Sequence, residues 1–221
     1  MDNLIVRCSE LYKLMTKSRS KTDPLSETTK AYLMEKAKES HYGIKPELSN
    51  KYLEKGINNE DKAIQMLNDV RFMDWRKNEE RITTSWLTGE CDINGDDRII
   101  DIKNSWSFET FPCFEEEAKK AVKKAGYDWQ LRGYMLLYNK NKAEVCYCLT
   151  QTPTELLTPW DDIKLHNVEH IDPSDRITSV IIERDKEIEK EIKKQYEVAN
   201  AYFKERLAEL QNKNKKQLQW I

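Results

Sequence analysis

The chain has 221 residues, of which 38% are hydrophobic and 34% are charged, and its formal net charge is −2 at pH 7. This length suits one domain with an appendage, and the near-neutral charge excludes a uniformly basic nucleic-acid binder without excluding a local basic patch. The first residues lack the apolar core of a signal peptide, and no apolar run is long enough to span a membrane. We therefore expect a soluble, cytoplasmic protein without a membrane partner.

The N-terminal segment RCSELYKLMTK is short and amphipathic, and a helix there would place Leu11 and Leu14 on one face with Cys8. Two longer, capped helices are predicted after it in the first third of the chain. Ser26 caps the first, which ends near Gly43, and Ser49 caps the second. The apolar stripe of the second helix has four members, Leu53, Ile57, Ile64 and Leu67. Glu60 shares the register of this stripe, where a carboxylate is costly to bury unless it is paired or binds a metal; a glutamate at the boundary of an amphipathic helix is the alternative. Gly56 costs the helix about 1 kcal/mol, which indicates the close approach of another group.

Residues 70 to 103 consist of short β-branched or aromatic segments, VRFMDWRK, RITTSWLTG, ECDI and RIIDIK, which predict an antiparallel meander. The Asn-Gly pair in INGDD predicts a tight hairpin between the last two. Helix returns after Phe114, divided at Gly126, with Asp128 capping its second half. A strand KAEVCYCLTQ, an irregular segment, a strand ITSVIIERD and a long charged helix complete the chain. This order predicts an α+β fold with a mixed sheet flanked by helices.

We predict a single domain over residues 1–182, with its core at about 49–150, and a helical extension over 183–221. Apolar residues of the extension recur at steps of three and four: Ile188, Ile192, Tyr196, Ala199, Phe203, Leu207 and Leu210. Such a narrow seam suits packing along the domain, which we favour, or pairing with another chain.

The five cysteines are scattered, and the chain has no Cys-x-x-Cys pair that would indicate zinc or a redox motif. Cys146 and Cys148 lie in the alternating segment AEVCYCLT, which places both sulfurs on one face of a strand. We interpret them as buried thiols and expect neither zinc nor an iron–sulfur cluster.

The hairpin carries the residues that indicate chemistry. Strand alternation places Asp101 and Lys103 on one face while Ile102 points into the core, and the tight turn brings Asp92 beside Asp101. Two carboxylates held close repel each other unless a cation bridges them, and such oxygen ligands suit Mg²⁺ or Mn²⁺. The Lys103 ammonium could polarise a water or stabilise charge on a phosphate. Together these are the parts of a phosphodiester hydrolase; a surface hairpin with ordinary charges is the alternative.

Gln130 and Tyr134 are four residues apart and share a helix face. An amide and a phenol near a metal site could grip DNA, with a half-buried tyrosine beside a glutamine as the alternative.

Glu60 on a helix, Asp92 in TGECD, Asp101 and Lys103 in IIDIK, and the QLRGY segment together resemble the PD-(D/E)XK nuclease superfamily. The similarity is closest to its RecB-like and phage-exonuclease branch, which includes lambda exonuclease and the YqaJ-type viral recombinases. The resemblance covers roughly residues 49–150. It implies an αβββαβ, restriction-endonuclease-like core and Mg²⁺-dependent cleavage of DNA, with Mn²⁺ as a substitute.

The resemblance also implies roles for individual residues. Four groups would bind the metal: Glu60, Asp92, Asp101 and the Ile102 carbonyl. Lys103 would be the catalytic lysine, and Gln130 and Tyr134 would support the site and the DNA strand. Further contacts to DNA are expected at three positions, Arg132, Trp106 and Arg81. The alternative for Trp106 is packing in the core. The alternative for Arg81 and nearby Lys77 is a solvated, charged face without a DNA contact.

Two departures from the family pattern stand out. Cys91 replaces the proline before the first aspartate. Asp101 replaces the glutamate of many relatives, and its shorter side chain would draw the metal closer to the sheet.

The leading hypothesis is an exonuclease that acts on linear duplex DNA ends in phage-type recombination or repair, in the cytoplasm of a bacterium or a virus-infected host. A single-strand annealing protein and a homo-oligomeric ring are the partners that the resemblance implies. The alternatives are an endonuclease of restriction or defence type and a non-catalytic interaction protein that uses the C-terminal helix.

Overall fold

Most of the predicted helices and strands are present in the predicted order, with a short additional strand near the N-terminus. The computed structural model describes residues 3–47 and 49–218, with the side chains of 214–218 left out. Residues 1–2 and 48 of the predicted domain and residues 219–221 of the predicted extension therefore lie outside the described residues. The elements are β1 (Val6–Arg7), α1 (Leu11–Leu14), α2 (Glu27–Tyr42), α3 (Lys51–Arg71), β2 (Ile82–Thr83), β3 (Leu87–Gly89), β4 (Ile93–Asn94), β5 (Ile99–Asn104), α4 (Glu115–Ala125), α5 (Tyr127–Tyr138), β6 (Lys142–Cys148), β7 (Ile177–Glu183) and α6 (Lys186–Leu218).

Local hydrogen bonds set the helix ends. The Ser26 hydroxyl accepts from the Thr29 N–H at 3.0 Å, and α2 ends at Gly43 in the left-handed conformation, as predicted. The cap of α3 is Asn50 rather than Ser49, because the Asn50 side-chain oxygen accepts from two N–H groups of the first turn. Similarly, Gly126 rather than Asp128 precedes the first residue of α5.

The central sheet has the order β4-β5-β6-β7, in which β5 and β6 are parallel and the other pairs are antiparallel. This confirms a mixed sheet. The prediction of a single antiparallel meander over residues 70 to 103 is wrong, because β2 and β3 pair with β1 in a separate three-stranded sheet. The segment VRFMDWRK is also no strand. Asn68 on α3 donates to the Trp75 carbonyl and accepts from its N–H, so a helix side chain satisfies backbone groups that a strand partner would otherwise bind.

The central sheet has buried residues on both faces. On one face α3 packs against β5 and β6 through Ile64, Leu67, Ile100 and Ile102, joined there by the two cysteines of β6. The two sulfurs lie 3.8 Å apart and are fully buried, which confirms the buried thiols. On the other face the larger core holds residues of α2, α5 and α6. The strand that carries Asp101 and Lys103 is therefore covered by packed side chains on both faces of the sheet.

The long helix α6 packs on α2 through the predicted seam, with Ile192, Ala199 and Phe203 buried. It also holds the N-terminus, since the Tyr196 hydroxyl donates to the Leu4 carbonyl at 2.9 Å. A role of this helix in oligomerisation stays a prediction. Within the described residues, no helix combines the length and the apolar character needed to cross a membrane.

Candidate active site

A cleft of about 660 Å³ opens between α3, the end of β5 and α5. It gathers the predicted catalytic residues and most of the predicted supporting ones. The predicted residues that line it are Glu60, Asp92, Asp101, Ile102, Lys103, Trp106, Gln130 and Tyr134.

The hairpin register places the two aspartates side by side. Ile93 pairs with Ile100 across β4 and β5, so that Asp92, one residue earlier, faces Asp101, one residue later. A carboxylate oxygen of Asp92 accepts from the Ile102 N–H at 2.5 Å. This bond fixes the half-buried Asp92 carboxylate against the strand that carries Asp101.

Asp101 is almost completely buried and has different neighbours at its two oxygens. One oxygen lies 2.6 Å from the Lys103 ammonium. The other accepts from the Gln130 amide at 3.1 Å, and the same amide nitrogen donates to the Tyr134 hydroxyl at 2.9 Å. The Gln130–Tyr134 pair thus lies behind the carboxylate and orients it.

Charge and burial compete within this group. Burial, and then the negative charge of Asp101, raise the pKa of Asp92 to about 7, although Lys103 and the Ile102 N–H oppose this change. Burial disfavours the charged form of Lys103, but Asp101 and Asp92 outweigh burial and raise its pKa. Lys103 is therefore an ammonium at neutral pH. Its nitrogen lies 4.6 Å from the centre of the Tyr127 ring, which adds a cation–π contact.

Glu60 reaches the cleft from α3, where it contacts a second lysine. The Lys77 ammonium lies 3.2 Å from a Glu60 oxygen. Lys77 belongs to the segment 72–81, which joins α3 to β2. The next residue, Asn78, donates its N–H to the Asp92 carbonyl at 2.7 Å and holds the segment against the hairpin.

The chemistry of these residues fits a hard divalent cation. Three carboxylates line one cleft, and ionisation of Asp92 is disfavoured by Asp101, which a cation would relieve. Within the described part of the chain, the buried Oδ2 of Asp101 accepts no hydrogen bond, and its one polar contact is the ion pair with Lys103. Across the same residues, no three His, Cys, Asp or Glu side chains are gathered closely enough to enclose an ion. In this arrangement Glu60 and Asp101 are each held by a lysine.

The predicted apolar stripe of α3 is wrong in its first half. Leu53 and Ile57 are 45% and 62% exposed and line the cleft, whereas Ile64 and Leu67 are buried as predicted. A Cβ atom at Gly56 would meet no described atom within 4 Å, so the expected close approach is also wrong and this glycine faces open space.

Lys55 and Asn59 form the buried face there instead, and the sequence interpretation missed both. Lys55, 1% exposed, donates to four oxygens at 2.6 to 3.0 Å: the carbonyls of Ser105, Trp106 and Thr150, and the Thr152 hydroxyl. Burial lowers the pKa of Lys55 to about 8. Asn59 donates to the Thr150 hydroxyl and the Gln151 carbonyl. The spacing 55-59-63-67 was the available signal, because it continues the buried face of α3 by steps of four.

The remaining predicted DNA contacts lie at different places. Trp106 lies at the end of the cleft, with its ring edge-to-face against Tyr52 at 5.1 Å and the Lys51 ammonium 4.5 Å from a ring centre. Arg81 lies in a neighbouring groove and pairs with Glu90 at 3.0 Å. Arg132 lines a third groove, outside the cleft.

No protein-family model and no curated protein matches the chain. Among solved structures, a phage-related exonuclease from Haemophilus somnus 129PT is 37% identical, with a TM-score of 0.88 and coverage of 94% of this chain and 97% of its own. An alkaline exonuclease, LHK-Exo, from Laribacter hongkongensis shares the fold at 16% identity, with a TM-score of 0.65 and coverage of 96% and 94%. The same fold matches in the LHK-Exo complex with dAMP, at 18% identity.

Proposed function

Since this chain belongs to the phage-exonuclease branch of the PD-(D/E)XK nucleases, we propose that it is a divalent-metal-dependent DNA exonuclease. Its substrate is the end of linear duplex DNA, and its metal is Mg²⁺, with Mn²⁺ as a substitute. One observation carries the proposal: Asp92, Asp101 and Lys103 converge on one cleft, with Lys103 2.6 Å from Asp101.

The metal ligands in this proposal are the carboxylates of Glu60, Asp92 and Asp101 and the carbonyl of Ile102. When bound, a divalent ion supplies Lewis-acid stabilisation of the phosphate and lowers the pKa of water. Hydrolysis joins the oxygen of water to phosphorus and breaks the bond from phosphorus to the sugar oxygen that leaves.

The residues of the chain contribute orientation and charge. The Lys103 ammonium donates to the oxygen on which negative charge develops, which is the arrangement that lowers a transition state most. Gln130 keeps Asp101 turned toward the cleft, and Tyr134 fixes the Gln130 amide in turn. Asp92 is held by the Ile102 N–H, so its free oxygen is available to the cleft.

The rim of the cleft supports binding of a DNA strand. Lys51 lies over Trp106 at one end, and Lys77 lies beside Glu60. Ammonium groups in these positions suit phosphates. The exposed side chains Tyr52, Leu53 and Ile57 provide apolar surface for sugars and bases between them.

Digestion of linear duplex DNA in Mg²⁺ or Mn²⁺ tests the mechanism, with wild type compared with Asp101→Ala and Lys103→Ala. We expect each variant to lose at least about a hundredfold in rate, as removal of a transition-state contact does. The matched control is Asp96→Asn, because Asp96 is an exposed acid of the same hairpin. Undiminished cleavage by both variants would overturn the mechanism.

Covalently closed circular DNA tests the choice between an exonuclease and an endonuclease. An exonuclease leaves the circle intact, whereas cleavage of the circle favours the restriction or defence role. A non-catalytic interaction protein would show no Mg²⁺ binding that depends on the three acids, which calorimetry measures.

The biological setting belongs to the same proposal. We infer a role in phage-type recombination or repair, in the cytoplasm of a bacterium or an infected host, in which the single strand passes to an annealing protein. Light scattering tests the proposed homo-oligomer, and a strict monomer would contradict it.

A further inference from the structure

Two lysines contact the acids of the cleft. The proposed catalytic step uses only Lys103, and the pairing of Lys77 with Glu60 has no role in it. Lys103 pairs with Asp101, whereas Lys77 pairs with Glu60 at 3.2 Å. The Lys77 side chain is 42% exposed and that of Glu60 is 21% exposed, so the ammonium approaches from the solvent side of the cleft.

The backbone around Lys77 is held on both sides. Two residues before it, Trp75 exchanges two hydrogen bonds with the Asn68 side chain, at 2.8 and 2.9 Å. One residue after it, Asn78 donates to the backbone oxygens of Asp92 at 2.7 Å and Cys91 at 3.0 Å. These hydrogen bonds fix the backbone on both sides of Lys77. The four-carbon stem of the Lys77 side chain still allows its ammonium to move.

We propose that Lys77 is a tethered counter-ion of Glu60 that competes with the divalent metal for this carboxylate. This inference rests on the proposed function. Without metal, the ammonium holds the Glu60 carboxylate. A divalent ion on Glu60 would stand within a few ångströms of the ammonium, and like charges at that distance repel.

The displaced ammonium remains tethered beside the cleft, at the neighbouring groove that Lys77 lines, and binds a phosphate of the DNA. A lysine suits this step because its ammonium recognises phosphate as a point charge and needs no fixed geometry. Metal loading therefore prepares one contact for the substrate, and the Lys77 side chain exchanges Glu60 for a phosphate oxygen.

Calorimetric titration of Mg²⁺ into the full chain without DNA tests the competition. Lys77→Met keeps the stem and removes the charge, so we expect its Mg²⁺ affinity to rise about two- to fivefold, the range set by partly exposed ion pairs. The matched control is Lys62→Met, because Lys62 is exposed two residues after Glu60 and lines a different groove. The control should bind Mg²⁺ as wild type does, and melting temperatures establish that both variants fold.

DNA binding in Mg²⁺ gives the second readout, with a linear duplex whose terminal linkages are phosphorothioates that resist cleavage. We expect Lys77→Met to bind more weakly, with a slope of log affinity against log salt that is smaller by about one. Mg²⁺ binding by Lys77→Met that is no tighter than that of wild type, or an unchanged salt slope, overturns the inference. If wild type itself binds no Mg²⁺, the proposed metal dependence fails and the inference fails with it. If wild type binds Mg²⁺ and Lys77→Met binds it no more tightly, only the inference fails.

Discussion

Asp92 accepts a hydrogen bond from the Ile102 N–H across the hairpin, and this bond binds the first acid of the cleft to the strand that carries the second. The bond favours the ionised carboxylate, yet burial and Asp101 outweigh it and raise the pKa of Asp92 to about 7. A group whose pKa is raised by folding stabilises the protein at low pH. That contribution is lost as the pH rises from about 4 through about 7.

Asp92→Asn should therefore stabilise the metal-free protein at pH 8 and have a smaller effect near pH 4. The amide removes the charge and keeps an oxygen that accepts from Ile102. Each pH unit by which the pKa differs between the folded and unfolded protein changes the free energy of unfolding by about 1.4 kcal/mol. For a chain of this size, that change corresponds to roughly 3–5 °C in melting temperature. Melting curves at the two pH values, with and without Mg²⁺, provide the measurement, and Mg²⁺ should stabilise only wild type. Equal melting temperatures at pH 8 would contradict the prediction.

Gln130→Ala should lower Mg²⁺ affinity or the rate of DNA digestion by about 10- to 100-fold while the fold is retained. The reason is that the Gln130 amide is the hydrogen-bond donor that orients Asp101. Tyr134→Phe should have a smaller effect in the same direction, since it removes only the partner of that amide. A double-mutant cycle should show that the two effects are not additive. Full additivity would mean that the two residues act separately.

Lys55→Met should destabilise the protein by roughly 2–4 kcal/mol at neutral pH, because it leaves several buried carbonyl oxygens without a donor. Urea unfolding with wild type as reference measures the loss. The difference should also grow with pH. Since burial lowers the pKa of Lys55 from 10.5 to about 8, the cost of keeping it charged is complete below pH 8 and fades as the pH rises toward 10.5.

Between pH 7.5 and 9.5 wild type should gain about 1–2 kcal/mol relative to Lys55→Met. Lys55→Arg is the control, because a guanidinium stays charged throughout this range. A difference between wild type and Lys55→Met that is constant with pH would count against this account.

Gly56→Ala should change stability and activity in opposite directions. Alanine favours the helix by roughly 0.5–1 kcal/mol, and the new Cβ meets no described atom of the protein. The methyl group would instead occupy space in the cleft. We expect a melting temperature that is higher by about 1–4 °C and a several-fold weaker affinity for DNA. Unchanged affinity would show that the DNA does not approach this part of α3.

The relation between Asp92 and Asp101 was predictable because strand geometry leaves few choices. Side chains alternate with a period of two, so a hairpin over this stretch limits which acids can share a face. The register itself comes from a four-residue loop, 95–98, with Asn94 paired to Ile99, and not from a two-residue turn at Asn94-Gly95, which would have set Asp92 opposite Asp97. The Gln130–Tyr134 pair was predictable for the corresponding reason in a helix, the step of four. In both cases the pattern and the contact lie within a single local element.

Contacts that join distant segments were not predictable in this way. Steps of four place Lys55 and Asn59 on the buried face of α3, but their partners are oxygens of residues 105–106 and 150–152, which the chain brings together only after β5 and β6 have paired. The pairing of Lys77 with Glu60 depends likewise on the anchoring of segment 72–81 to the hairpin. The sequence showed the charges and left open which partners folding would supply.

The four bonds of Lys55 have a consequence for the order in which the protein is made. Their acceptors extend to Thr152, so a chain emerging from the ribosome lacks the last of them until that residue has been synthesised. Until then the helix that carries Glu60 is held near Asp101 by its apolar packing on β5 and by only some of the Lys55 bonds. The wall of the cleft that Lys55 secures therefore gains its last hydrogen bonds only when more than two thirds of the polypeptide is complete.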